Sequence, residues 1–155
     1  MEKGAQFESP EYQLFCEQWQ ALSQTDVTVA KLQAFYARYK YLIMSRSVTA
    51  YREIGTLLAT ATRHDLPLVM PRMFEMIRRA LAIPPTPGGN VNALLHISGY
   101  LKKQLSTEER QILHETIARY GRGEIELGVP LAMLRTHFQR FPNPYIEQQL
   151  FLTMP

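Results

Sequence analysis

Residues 27 to 45 run without a proline or a glycine, and within them Leu32, Phe35, Tyr36, Tyr39, Leu42 and Ile43 recur at helical spacing. At about 100° per residue these six side chains share one broad face. A helix with so wide an apolar face is insoluble alone, so the rest of the chain has to be laid across it. Lys31 and Arg38 fall on another side of this predicted central helix, and Lys40 is separate from both.

The flanking sequence supplies further helices. Ser9-Pro10-Glu11 gives a cap, a first-turn proline and an acid at the positive end, predicting a helix from Pro10 to about Leu22 with Leu14, Trp19 and Leu22 inward and Phe15 beside them. Residues 1 to 8 read as frayed. Ser47 caps a helix over Val48 to Thr60, where Gly55 costs about 1 kcal/mol relative to alanine and suggests a close helix crossing. Asp65 and Pro67 open a fourth helix to about Ile83, with Met70, Met73, Phe74, Ile77 and Leu81 inward and Pro71 able to kink its first turns.

Pro84-Pro85-Thr86-Pro87-Gly88-Gly89 reads as a break, followed by one helix from Asn90 to Leu105. Leu94, Ile97, Leu101 and Leu105 converge on its dry side, while Asn92, His96, Gly99 and Lys103 form a polar stripe nearly opposite. Ser106-Thr107-Glu108-Glu109 is a capping box for a helix to about Tyr120, ended by Gly121-Arg122-Gly123. Val129-Pro130 leads into a seventh helix, and Phe141-Pro142-Asn143-Pro144 separates it from a last one over Tyr145 to about Leu152. No segment alternates at period two between turn signals. The predicted class is all-α, a single-domain bundle of about seven or eight helices over residues 1–155.

Composition narrows the function classes. No apolar run approaches the roughly 20 residues that span a bilayer, and the N-terminus has no hydrophobic signal core, so a soluble, cytoplasmic protein without membrane contact is expected. The single Cys16 excludes an intramolecular disulfide, a cysteine-only zinc site and a chain-contained iron–sulfur cluster. His64, His96, His114 and His137 show neither an i, i+4 pair nor H-E-x-x-H, so no metal ligands are assigned and no cofactor is expected. A formal charge of +3 leans toward anionic partners.

Two constellations carry candidate chemistry. In the stripe, lysine attracts a phosphate, asparagine both donates and accepts, and glycine permits close approach, which suits an RNA backbone and base edge. A helix packed through Gly99 with a hydrogen-bonded core histidine satisfies the same pattern. Tyr36, Tyr39, Tyr41, Tyr51 and Tyr100, interleaved with Lys40, Arg46 and Arg52, have the makings of a stacking platform beside positive charge. Core packing accounts for the same aromatic spacing.

Lys40-Tyr41-Leu42-Ile43-Met44 with Ser47, Tyr51-Arg52-Glu53-Ile54-Gly55, Asn92 to His96 with Gly99, Tyr100, Lys102, Lys103 and Leu105, Val129-Pro130-Leu131, Leu134, Pro144-Tyr145, and Gln149 with Leu152 together resemble the bacterial YbgA-like family, a domain of unknown function, over roughly residues 32 to 155. The family pattern carries histidine where this chain has Tyr39 and Arg46, and basic residues near Gly88-Gly89. Relatives occur fused behind a cysteine-rich desulfidase domain that holds an iron–sulfur cluster and removes sulfur from thiolated uracil, including 4-thiouridine in transfer RNA.

The resemblance implies a non-catalytic RNA-binding accessory module for tRNA, thiolated or not, acting with a separate enzyme such as a desulfidase. RNA contacts are expected from Lys40, Arg46, Arg52, Asn92, His96, Tyr100 and Lys103. Two alternatives stand beside it: a protein-interaction or self-associating helical module, and a metal-independent enzyme using His96 as a proton carrier. The sequence leaves the oligomeric state open.

Overall fold

The computed structural model describes residues 9–153, so the expectation for residues 1 to 8 falls outside it. Among the described residues the chain is helical throughout, with no strand. In order the helices are α1 (Pro10–Ser23), α2 (Val29–Arg46), α3 (Val48–Thr60), α4 (Leu66–Leu81), α5 (Pro87–Ser98), α6 (Thr107–Gly121), α7 (Gly128–Arg140), α8 (Pro144–Glu147) and α9 (Leu150–Thr153). Short 3-10 turns precede α4 at Arg63–Asp65 and follow α5 at Gly99–Leu101.

The predicted central helix is central. α2 packs against α3, α4, α5 and α9, and all six residues of its predicted apolar face are buried. Tyr41 and Met44 are buried as well, so the face wraps most of the way round. Thr28 caps it, its hydroxyl accepting from the Lys31 amide. Ser47 ends it and at once caps α3 by accepting from the Ala50 amide, so the two helices meet at a single residue.

At one end of α2, Phe15 and Trp19 of α1 and Phe74 of α4 close over Phe35 and Tyr39. Phe15 stacks on Phe74 at 5.1 Å and meets Tyr39 edge-on at 5.7 Å, while Trp19 meets Phe35 edge-on at 5.4 Å. Such offset and edge-to-face pairs contribute about 1 kcal/mol each beyond the area they bury. Phe15 is therefore the inward anchor of α1, and Leu14, expected inward, is 36% exposed. The Tyr39 hydroxyl donates to Gln18 Oε1 at 2.5 Å, which satisfies its polar tip.

α5 departs from expectation at both ends. It begins at Pro87, with the Thr86 hydroxyl accepting from the Gly89 amide, so part of the expected break is its first turn. A first-turn proline lacks only an amide that has no helical partner. Gly89 is required by packing: a Cβ there would stand 2.0 Å from the Ser45 carbonyl oxygen of α2. The helix stops at Ser98 and tightens into the 3-10 turn, after which the chain turns to Leu105. The expected single helix to Leu105 is thus two pieces, and the 100° bookkeeping that aligned Gly99 and Lys103 with Asn92 and His96 ends at Ser98.

The capping box of α6 forms as predicted, with Ser106 and Glu109 satisfying each other's amides. The last predicted helix is two short ones, α8 and α9, joined through Gln148 and Gln149. No helix among the described residues is long and apolar enough to cross a membrane.

Candidate nucleic-acid interface

Tyr36 and Lys40 on α2, Tyr51, Arg52 and Gly55 on α3, and Tyr145 on α8 line an open groove of about 580 Å³. Its depth at α3 comes from Gly55. A Cβ there would meet nothing within 4 Å, so the close helix crossing expected at this glycine is absent and the position faces open space. The Tyr36 hydroxyl donates to the Tyr51 carbonyl at 2.9 Å, tying the two walls together.

Lys40 is half-buried and its ammonium group is held by aromatic rings. Nζ lies 5.6 Å from the Tyr41 ring centroid, 5.7 Å from that of Tyr51 and 5.8 Å from that of Tyr145. It also donates to the Tyr145 hydroxyl at 3.3 Å, across 105 residues of sequence. Burial by itself lowers the ammonium pKa, but the Tyr145 hydrogen bond and the surrounding tyrosine oxygens outweigh it and leave the value raised. The side chain is therefore charged at neutral pH, and among the described residues no carboxylate forms an ion pair with it.

A tyrosine cluster continues from this point. Tyr41 donates to the Tyr100 hydroxyl at 3.0 Å, with the rings edge-on at 6.5 Å, and Tyr100 lies 6.3 Å from Tyr145. Burial, with the Tyr100 hydrogen bond next, pushes the Tyr41 phenol well above its usual value; burial does the same to Tyr36. Neither phenol is a proton carrier near neutrality. The site offers ring faces, neutral hydroxyls and fixed positive charge.

The residues expected from sequence separate into three groups. Lys40, Arg52 and Tyr100 belong to the groove and its tyrosine cluster. Arg46 is committed elsewhere: its Nη1 donates to the Leu81 and Ile83 carbonyls at 3.2 and 2.9 Å, supplying donors to the open C-terminus of α4. Asn92 is half-buried on α5, while His96 and Lys103 are exposed, the latter in the turn beyond the 3-10 segment. None of these last three lines the groove. Tyr39 also leaves the expected platform, being sealed in the aromatic cluster with α1.

Tyr145 was missed as a site residue. Its only sequence signal is a place within the family pattern beside Pro144, and its partnership with Lys40 depends wholly on how α8 docks. Gln149 fixes that docking. Fully buried, it accepts from the Tyr41 amide at 3.5 Å, donates to the Ala37 carbonyl, and reaches the Tyr145 carbonyl at 3.5 Å. Among the described residues no three of His, Cys, Asp and Glu gather as a metal site would need.

Residues 40–155 match a family described as "Protein of unknown function (DUF1722)". The chain is also similar to an uncharacterized protein, YbgA, of Escherichia coli (strain K12), with 25% identity over 134 residues that cover 86% of this chain and 79% of the relative. No solved structure matches significantly.

Proposed function

Since this chain belongs to the DUF1722 family, whose matched region of residues 40–155 includes both Lys40 and Tyr145, we propose that it is a non-catalytic RNA-binding accessory module. It holds a single-stranded part of an RNA, with tRNA the first candidate, and presents it to a separate enzyme. The observation that carries this reading is Lys40: an ammonium group without a carboxylate partner among the described residues, set among three tyrosine rings on the wall of an open groove.

Single-stranded nucleic acids are bound by this pairing of ring faces with positive charge, because every base has a π-face and every linkage a phosphate. A base stacked against Tyr51 or Tyr145, both of which line the groove, is the contact this reading requires. Arg52, exposed at its edge, is placed for the adjoining phosphate. Raised phenol values and the position of His96 outside the groove favour binding over proton transfer here.

The test is fluorescence anisotropy of a labelled single-stranded RNA across a salt series. Two phosphate contacts predict a slope of log affinity against log salt of about −1.4. Replacing Tyr145 by leucine removes a stacking face and a hydroxyl partner of Lys40, which should weaken binding by about 1–3 kcal/mol. No binding at low salt, or full affinity in Tyr145→Leu, would sink the reading.

A further inference from the structure

A second cleft, of about 260 Å³, lies where the end of α5 and its 3-10 turn meet α6. Leu105 and Leu113 form its apolar part, and Ser98, Lys102, Arg110 and His114 bring polar groups to it; no aspartate or glutamate lines it. From this geometry we infer that the cleft is a binding site for a phosphate group, with the Arg110 guanidinium as its principal donor and Lys102 and His114 at its sides.

Among the described residues Arg110 is the one arginine with a buried side-chain nitrogen that has no partner. Arg78 and Arg79 pair with Glu75, Arg119 and Arg122 with Glu124, and Arg140 with Glu109. Arg110 makes no such pair among the described residues. Its one side-chain hydrogen bond is a long one, from Nη2 to the Thr107 hydroxyl at 3.4 Å, and its Nε is buried without a partner among the described residues. The adjoining Glu109 does not neutralise it, because that carboxylate is taken by Arg140 at 2.5 Å and by the Ser106 amide at 3.1 Å.

A buried, unpaired N–H is costly and rare in a folded chain. An oxyanion in the cleft would compensate the charge of this guanidinium, which no carboxylate among the described residues pairs with. A tetrahedral phosphate offers several acceptor oxygens, matching the fork of a guanidinium while an ammonium and an imidazole approach from other sides. The Arg110 and Lys102 charges repel a metal ion, so His114 reads as part of an anion site. Ser98 is not a required donor, since its hydroxyl is given to the Leu95 carbonyl at 2.8 Å. The inference is independent of the RNA groove, as the two sites share no lining residue.

The experiment titrates inorganic phosphate into the full chain in low-salt buffer and follows the Arg110 Nε–H resonance alongside calorimetry. The expected result is a saturable shift of that resonance, with affinity lowered roughly tenfold or more in Arg110→Gln and unchanged in Arg63→Gln, an exposed arginine outside both sites. Circular dichroism checks that the arginine variant folds; should it not, Lys102→Gln, on an exposed side chain, replaces it and must also bind phosphate more weakly. A parallel titration compares a short RNA with and without a 5′-phosphate. Tighter binding of the phosphorylated RNA assigns the cleft to a nucleic-acid terminus, and equal binding beside a phosphate response assigns it to the free anion. Absence of phosphate binding, or equal phosphate affinity in wild type and the folded variants, would overturn the inference.

Discussion

Replacing Gln149 by leucine tests how the fold builds the groove. The side chain is 0% exposed, and its amide joins the α8–α9 corner to the Ala37 and Tyr41 peptide groups of α2. These two groups are an i, i+4 pair that can satisfy each other within the helix, so the variant loses the tie without wholly orphaning its partners. A net 1 kcal/mol for each of the two α2 bonds gives a loss of about 2 kcal/mol. Leucine nearly conserves the volume, which keeps a cavity term out of the comparison.

For a domain of this size that loss lowers the melting temperature by roughly 4–8 °C. Urea unfolding followed by circular dichroism should show a lower midpoint with an unchanged slope. RNA affinity should fall with it, because Tyr145, whose carbonyl Gln149 also reaches, is held in place for Lys40. A Gln149→Leu protein within about 0.5 kcal/mol of wild type, the range of an ordinary surface change, would refute the reasoning.

Three further outcomes follow from the same contacts. Gly89→Ala drives a Cβ into the Ser45 carbonyl and should cost about 3 kcal/mol, read as a melting-temperature drop of roughly 6–12 °C. Gly55→Ala, facing open space, should raise stability by about 0.5–1 kcal/mol in the same assay while narrowing the groove and weakening RNA binding. Glu75 beside Arg78 and Arg79, and Glu109 beside Arg140, are held at about 2 against an ordinary 4.5. A depressed carboxyl stabilises the fold fully above its unfolded value, and that contribution is lost as pH falls from about 4.5 toward 2. Urea midpoints should therefore decline across this window, and Glu75→Gln should shrink the decline.

Much of the bundle was legible because it depends on local signals. The α2 face follows from periodicity, and the Ser47 and Ser106 caps from side chains that satisfy amides three residues on. The α5 boundaries were not, since proline and paired glycines read equally as a break or a first turn until Ser45 is seen against Gly89. The polar stripe failed for a related reason: extrapolating helical angles past Ser98 assumes a helix that has already tightened.

At the site, the interleaving of Lys40, Tyr51 and Arg52 in sequence goes with their lining one groove, because α2 and α3 are joined at one residue and lie together. Arg46 was misjudged, since the demand it meets is created by the end of α4. Tyr145 and the unpaired Arg110 Nε are tertiary facts without a local signature. Both sit near the starts of their helices, Pro144–Glu147 and Thr107–Gly121, and depend on how those helices dock.

The most direct measurement compares wild type and Lys40→Met for binding of single-stranded RNA over a series of salt concentrations. The account predicts weaker binding in the variant and a salt slope shallower by about 0.7, the share of one phosphate contact. Equal affinity and an equal slope in the two proteins, or no RNA binding by the wild type at low salt, would contradict it.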